Sequence, residues 1–414
     1  VPAAAHEAGG AAEAAARRSY GKLVAILAAR TGDVAGAEDA LSEAFGIALE
    51  QWPRQGIPAN AEAWLLTVAR RRIVDAVRQR IHDEAAAQHL LLLEELAEPA
   101  DANALPDRRL ELLFACAHPG IDASAHAPLM LQTVLGFDAG TIASAFLVAP
   151  ATMGQRLVRA KTKIRQAGIG FRVPGRAELP ERLAAVLEAI YAAYAEGWSD
   201  AEGADARRRN LAEEAIWLGR LVVALMPEEA EALGLLSLML HAHARRAARR
   251  NEAGEYVPLA AQDVARWDLA AMEEAESLLH RANALAVPGR YQLEAALQSA
   301  HSVRCRGAAV PWPAIVQLYD ALHALTGSPV SALNRAVALA EVEGAGAALD
   351  ALDAIARDPR LQDYQPYWAA RAELLARTGA RSEALAAYER AIGLERDAAV
   401  RRFLQGRAAT LRGA

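Results

Sequence analysis

Little in this chain suggests chemistry on small molecules. It holds two cysteines, Cys116 and Cys305, far apart and outside any CxxC pair. That excludes a disulfide framework or a zinc ribbon and fits a reducing cytoplasm. No Gly-rich phosphate loop, nucleophile elbow or HExxH helix occurs, so no enzyme, catalytic residue or cofactor is expected. His241 and His243 would point to different sides of a helix, and Cys116-Ala117-His118 lacks a second ligand pair, so no metal centre is expected either. Apolar stretches are broken by charge well before the roughly 20 residues of a membrane span. Residues 1–10 have neither a basic n-region nor a hydrophobic h-region, and the opening Val1 points to an alternative start codon or a trimmed start. A cytoplasmic protein without membrane contact is the expectation. Aromatic residues make up only 5%, and no alternating β-branched run bounded by turn signals occurs, which leaves an all-α fold.

What is present is Ala, Leu, Glu and Arg in a chain of 414 residues, 53% hydrophobic. The composition is helical and the length implies two or three domains. Net charge is −6, yet the cations are clustered. Five arginines stand against one acid, Asp75, between Arg70 and Arg80, and residues 151–172 carry six Lys/Arg and no acid. Local field, rather than the global sum, governs attraction to nucleic acid.

Residues 1–16 are Ala/Gly-rich and expected to fray. A first domain is expected over 17–82, broken at Thr31-Gly32-Asp33 and again between Pro53 and Asn60, where Asn60 can cap the following helix. An acidic linker with a short helix spans 83–106. A second domain covers 107–174, and Gly168, Gly170, Pro174, Gly175 and Pro180 mark the clearest boundary. From 180 to 412 helix follows helix. Within it, near 329–395, Trp368, Leu375, Ala384, Tyr388 and Ala391 occupy the packing positions of a tetratricopeptide unit, with Gly379 in the turn. A weaker copy, Ala332, Leu339, Ala348, Leu352 and Ile355, lies 36 residues earlier. The repeat is degenerate, since Arg396 stands at the usual Pro position.

Four clusters can carry function, three of them before residue 175. Asp39 and Glu43 stand i, i+4 on one helix face beside Glu38, while Ala40, Leu41, Ala44 and Phe45 supply a core face. The acids are then free for a basic protein partner, or form a solvated surface. The helix from Asn60 to Arg80 offers Arg70, Arg71, Arg72 and Arg78 to phosphate. Trp64 and Trp52 can support unstacked bases or fill the core, and the loop between Trp52 and Asn60 is a candidate pocket for an extruded base. Third, Asp138 can cap a short helix, Leu147-Val148 turns, and Pro150 opens a second helix, together a helix-turn-helix. Thr152, Gln155, Arg156 and Arg159 lie at its front for base edges; Lys161, Lys163 and Arg165 can meet phosphates. In the C-terminal part, Arg245, Arg249, Asp263, Arg266 and Trp267 offer a docking site for a cytoplasmic regulatory partner, or else form internal salt bridges.

Taken in order, Ser19 to Leu27, the acidic helix, the Trp64 helix and the helix-turn-helix resemble the two domains of an extracytoplasmic-function sigma factor. Ala115-Cys116-Ala117-His118-Pro119, Gln155 to Lys161 and Gly168 to Pro174 resemble the subgroup with a long helical, tetratricopeptide-like extension. Glu196-Gly197-Trp198-Ser199 and Leu333-Asn334-Arg335-Ala336 echo that extension. The resemblance covers about Arg17 to the C-terminus. It implies core RNA polymerase and promoter DNA as partners: Glu38, Asp39 and Glu43 for polymerase, the Trp52–Arg80 segment for the −10 element and the Pro150 helix for the −35 element. Arg71 stands where many relatives carry Asn, Ser42 where Gln is common, and Gly154 interrupts the recognition helix, which leaves the promoter sequence open. A helix-turn-helix regulator with a tetratricopeptide sensor, or a repeat scaffold, are the alternatives.

Overall fold

In a computed structural model, residues 2–80, 107–146, 148–175, 177–198 and 206–413 are described. Among them the secondary structure is helical, apart from an isolated antiparallel bridge between Arg250 and Tyr256. The chain divides into two compact units, Val1–Glu196 and Gly197–Ala414. The first expected boundary of the C-terminal part, at Pro180, is therefore passed over, and both N-terminal domains fall in one unit. The linker expected at 83–106 lies outside the described residues.

Unit 1 begins with α1 (Pro2–Thr31), α2 (Val34–Gln55) and α3 (Ala61–Arg80), which pack on one another. Local chemistry sets their ends. Asp33 accepts the Gly36 N–H at 3.1 Å and Asn60 the Ala63 N–H at 2.9 Å, each satisfying a donor the helix start leaves unpaired. The break expected from Pro53 falls later, because α2 continues to Gln55 and ends at Gly56, φ 87°, with its N–H on Trp52 O. Leu23, Leu27, Leu41, Leu65 and Leu66 are fully buried and make the shared core.

The second part of this unit is α4 (Arg109–Cys116), α5 (Ala123–Leu135), α6 (Ala139–Ala145), α7 (Pro150–Gln166) and α8 (Leu179–Trp198). It closes directly onto α1. A Cβ at Gly21 would land on the Val134 carbonyl, and the Tyr20 ring lies over Gly136, whose φ of 75° ends α5. Glycine is required at both places. Met153, Leu157, Ala160 and Ile164 form the buried stripe of α7, spaced as a helix on a core must be. Arg182 of α8 donates to the Phe114 carbonyl, tying α8 to the same unit.

Unit 2 is built around α10 (Ala230–Ala244), buried almost all round and packed by α9 (Ala206–Leu225), α11 (Leu269–Ala284) and α12 (Arg290–Ser302). At Gly234 a Cβ would stand 2.6 Å from the Gln292 nitrogen, so the crossing depends on the missing side chain. One turn earlier Glu231 accepts the N–H groups of Tyr291 and Gln292, at 3.0 and 3.1 Å, and so caps α12. Helices α13 (Trp312–Thr326), α14 (Pro329–Leu339), α15 (Ala345–Ile355), α16 (Gln365–Arg377), α17 (Arg381–Leu394) and α18 (Ala398–Gly413) then stack in sequence, each on the next. Ala348, Leu352, Ala384, Tyr388 and Ala391 are buried between them, and Gly344 and Gly379 take positive φ in the turns. Arg377 reaches Glu341 at 2.7 Å, tying consecutive hairpins at a separation of 36 residues.

Candidate nucleic-acid interface

The acidic helix α2 presents a divided face. Asp39 and Glu43 are exposed, and Glu43 pairs with Arg72 of α3 at 3.3 Å across a solvated gap. Glu38 differs from the expectation of an outward acid: it is 8% exposed and its carboxylate meets Lys161 of α7. Burial pushes the Glu38 carboxyl up, against the opposing pull of the Lys161 ammonium. The same burial, together with the negative charges of Glu38 and Asp39, raises the Tyr20 phenol. Arg165, one turn beyond Lys161, reaches Asp33 at 3.4 Å.

On α3 the cations separate according to helical phase. Leu66, Ala69 and Ile73 define the buried side, and Arg70 falls on it at 8% exposure. Burial, with the nearby charge of Arg30, depresses the Arg70 guanidinium. It is therefore not part of an outward phosphate stripe, as the arginine run suggested. Arg71 and Arg72 are exposed; the side chain of Arg78 lies outside the described residues. Trp52 is buried and meets the half-buried Trp64 edge to face, with centroids 5.5 Å apart. In the segment expected to form a pocket, from Trp52 to Asn60, Trp52 is taken up in the indole pair and Arg54, Gln55 and Ile57 are exposed.

The helix-turn-helix is formed by α6 and α7. Asp138 accepts the Thr141 N–H at 2.9 Å, and this bond with the Thr141 hydroxyl keeps its carboxyl below the ordinary range. Pro150 stands at the start of α7. Thr152, Gln155, Arg159 and Lys163 are exposed along α7; Arg156 is half-buried, 3.4 Å from the Ser124 carbonyl. Lys161 is correspondingly turned from phosphate to Glu38. Gly154 has open space around its Cα, so no close approach explains it.

The docking cluster expected in the C-terminal unit disperses. Trp267 is 4% exposed and Arg245 8%, and the Arg245 and Arg304 guanidinium carbons stand 5.8 and 5.5 Å from the Trp267 ring. Arg245 also donates to Gln298. Asp263 caps a short 3-10 turn, Arg266 donates to the Arg250 carbonyl at 2.8 Å, and Arg249 is half-buried. Arg245 and Trp267 are thus held inside the unit, while Asp263 and Arg266 stay exposed. Burial pushes the Cys116 thiol up to about 12, which makes it an inert core residue. Among the described residues no group of three His, Cys, Asp or Glu side chains could hold a metal ion, and no helix is long and apolar enough to cross a membrane.

Residues 16–81 match sigma-70 region 2, and residues 182–283 match a family of unknown function (DUF6596). Over 375 residues, 89% of this chain and 88% of the relative, the sequence is 38% identical to the uncharacterized protein R00370 of Rhizobium meliloti (strain 1021). The chain belongs to the same family as that protein. Its sigma-70 region 2 is α1 to α3, the helices that carry Asp39, Glu43, Trp64, Arg71 and Arg72. This region gives the family member a sigma-factor-like role in promoter recognition, and with it a place among DNA-binding transcription proteins. No solved structure matches the chain.

The acids and cations that face one another across α2 and α7 were missed in part by sequence reasoning. Asp33 was legible as part of a helix break, but neither as the cap of α2 nor as a partner of Arg165. Nothing local marks Glu38 and Lys161, which are 123 residues apart.

Proposed function

We propose that the chain is an extracytoplasmic-function sigma factor with a helical, tetratricopeptide-like extension, acting in the cytoplasm. On this reading the exposed acids Asp39 and Glu43 dock core RNA polymerase. Trp64, Arg71 and Arg72 engage the −10 element, and Thr152, Gln155, Arg159 and Lys163 read the −35 element. The C-terminal unit modulates that activity. The observation that carries the reading is the coincidence of sigma-70 region 2 with α1 to α3, followed in the same unit by a helix-turn-helix whose second helix has an exposed polar and basic front. The paired hairpins at 36-residue spacing favour the repeat nature of the extension.

Transcription with purified core polymerase tests this. The full chain and a version ending at Glu196, which keeps α8 with the unit it belongs to, should both initiate from a shared promoter, at different rates. Gln155→Ala or Arg159→Ala should relax discrimination at the −35 element by about 1–3 kcal/mol per lost base contact. Lys163→Ala should weaken binding evenly across sequences and lower the salt slope by about 1. A chain that binds DNA without core polymerase and never joins it would be the regulator instead. One that binds neither would be the scaffold.

A further inference from the structure

Helix α7 carries one exposed side chain that packing does not account for. Val158 is 64% exposed, more than any other large apolar side chain among the described residues. The buried stripe of α7 runs through Met153, Leu157, Ala160 and Ile164. At about 100° per residue, Val158 stands roughly 130° round the helix from the centre of that stripe, so it belongs to the outward front and not to the margin of the core. Branching at Cβ also makes valine a poorer helix former than the Gln, Arg and Lys around it. Neither burial nor helix propensity selects it.

The front of α7 is divided. Gln155 forms its crest and Arg159 and Lys163 lie along one flank, all exposed; Val158 lies on the other flank, about two turns beyond the exposed Ala151. Gly154, four residues before Val158, is its neighbour on the same side. A Cβ at Gly154 would meet nothing within 4 Å, so no contact inside the chain calls for glycine there. Side chains on a helix lean toward its N-terminus, which carries the valine methyls toward the bare Gly154 backbone. Together the two make a shallow apolar step on a polar and basic front, open at Gly154 and walled by Val158.

A side chain of this kind has few targets on duplex DNA. In the major groove thymine alone among the four bases presents a methyl group, on C5; the other base edges there offer hydrogen-bond donors and acceptors. Against those, or against a phosphate, an isopropyl group makes no bond and strips water from a polar atom. We infer that Val158 reads a pyrimidine C5-methyl group in the major groove, thymine in ordinary duplex, with Gly154 leaving room for the base edge. The inference rests on the DNA-reading role given to α7 above and adds a contact that works by burial instead of hydrogen bonding. Seating one methyl group against the valine is worth about fourfold in affinity. Because the methyl group is read and not the whole base, 5-methylcytosine is preferred to cytosine at the same place.

The test uses the full-length protein, alone and with core polymerase, and duplexes recovered on it from a pool of random sequence. Each thymine of the recovered sequence is replaced in turn by deoxyuridine, which lacks only the C5-methyl group. Wild type should lose about fourfold in affinity at one such thymine. Val158→Ala puts a better helix former at an exposed site, so the fold is kept. It should bind the thymine duplex about fourfold more weakly than wild type and be indifferent to deoxyuridine at that position. Wild type, but not Val158→Ala, should also favour 5-methylcytosine over cytosine there. Lys163→Ala should weaken the thymine and deoxyuridine duplexes alike and keep their ratio, which separates general affinity from methyl reading. Recovered sequences without thymine, deoxyuridine forms that all bind wild type undiminished, or a Val158→Ala protein that loses as much as wild type at every sensitive position would each overturn the proposal while leaving α7 a reader of DNA. Recovery of no sequence, with polymerase or without it, would defeat the DNA-reading role and the proposal together.

Discussion

Reversing the exposed acids of α2, with Asp39→Arg and Glu43→Arg together, should leave the fold in place and abolish association with core polymerase. The stability side can be worked from the structure. Asp39 is exposed, and the Glu43–Arg72 pair joins side chains 60% and 47% exposed, so its loss costs at most about 1 kcal/mol. A new Arg beside Arg72 adds a few tenths through repulsion of the kind seen between neighbouring like charges on helices. The binding side is larger. Two carboxylates that attract a basic partner surface become two cations that repel it, and like-charge juxtaposition at an interface costs several kcal/mol, about a hundredfold or more in affinity. Glu38→Gln supplies the contrast. Because Glu38 faces Lys161 rather than solvent, its substitution should spare the first polymerase contact and act on the α2–α7 contact instead. Affinity for core polymerase by interferometry, alongside thermal melting by circular dichroism, measures both sides. A double variant that melts like wild type and binds polymerase equally well would refute the assignment of this face.

In unit 2, acid should weaken the fold through two histidines. His241 is fully buried, and burial pushes its imidazole well below the usual range despite Glu276 at 3.6 Å; His301 is pushed down to about 4 by burial, with the Arg245 and Arg304 cations adding to it. Both are neutral in the folded chain, so their contribution is complete above about pH 6.5 and is lost as pH falls toward 4; at pH 5 His301 alone removes about 2 kcal/mol. An unfolding midpoint that stays flat between pH 7 and 5 would contradict this. Glu231→Ala removes the acceptor for two backbone N–H groups at the start of α12, at roughly 1.5–3 kcal/mol for each bond to a charged group. Hydrogen exchange should accelerate first at Tyr291 and Gln292, and unchanged protection there would show that another group caps the helix.

The sequence was most legible where the physics is local. Asn60, Asp138 and Pro150 each act within three residues of themselves, and the helix starts they imply are where the structure has them. The arginine run was misread because adjacency is not phase. Leu66, Ala69 and Ile73 repeat with the helix, and Arg70 lies among them while Arg71 and Arg72 turn outward. That signal was in the sequence. No such signal marks Glu38, whose partner comes from a helix far along the chain, or Trp267, whose exposed-looking neighbourhood of charges hides Arg245 and Arg304 stacked against its ring. Long-range pairing of this kind is decided by how helices pack, and a charged residue carries no mark of which helix it will meet.

The far end of the helical stack is tied back to its beginning. Arg250 meets Asp397 at 2.8 Å across 147 residues of chain, and Tyr256 packs edge to face on Phe403 of α18 with centroids 5.5 Å apart. An open array of repeats can fray from its free terminus, each unit melting at its own modest cost. Here α18 cannot peel away without surrendering a charged pair and an aromatic contact made to the segment before α11. Heating should therefore melt the array in one concerted step rather than by unzipping. The same clasp joins residues 147 positions apart, so it forms late, after a long loop has already been closed by the helices between, and renaturation of this half should be slow for so helical a protein.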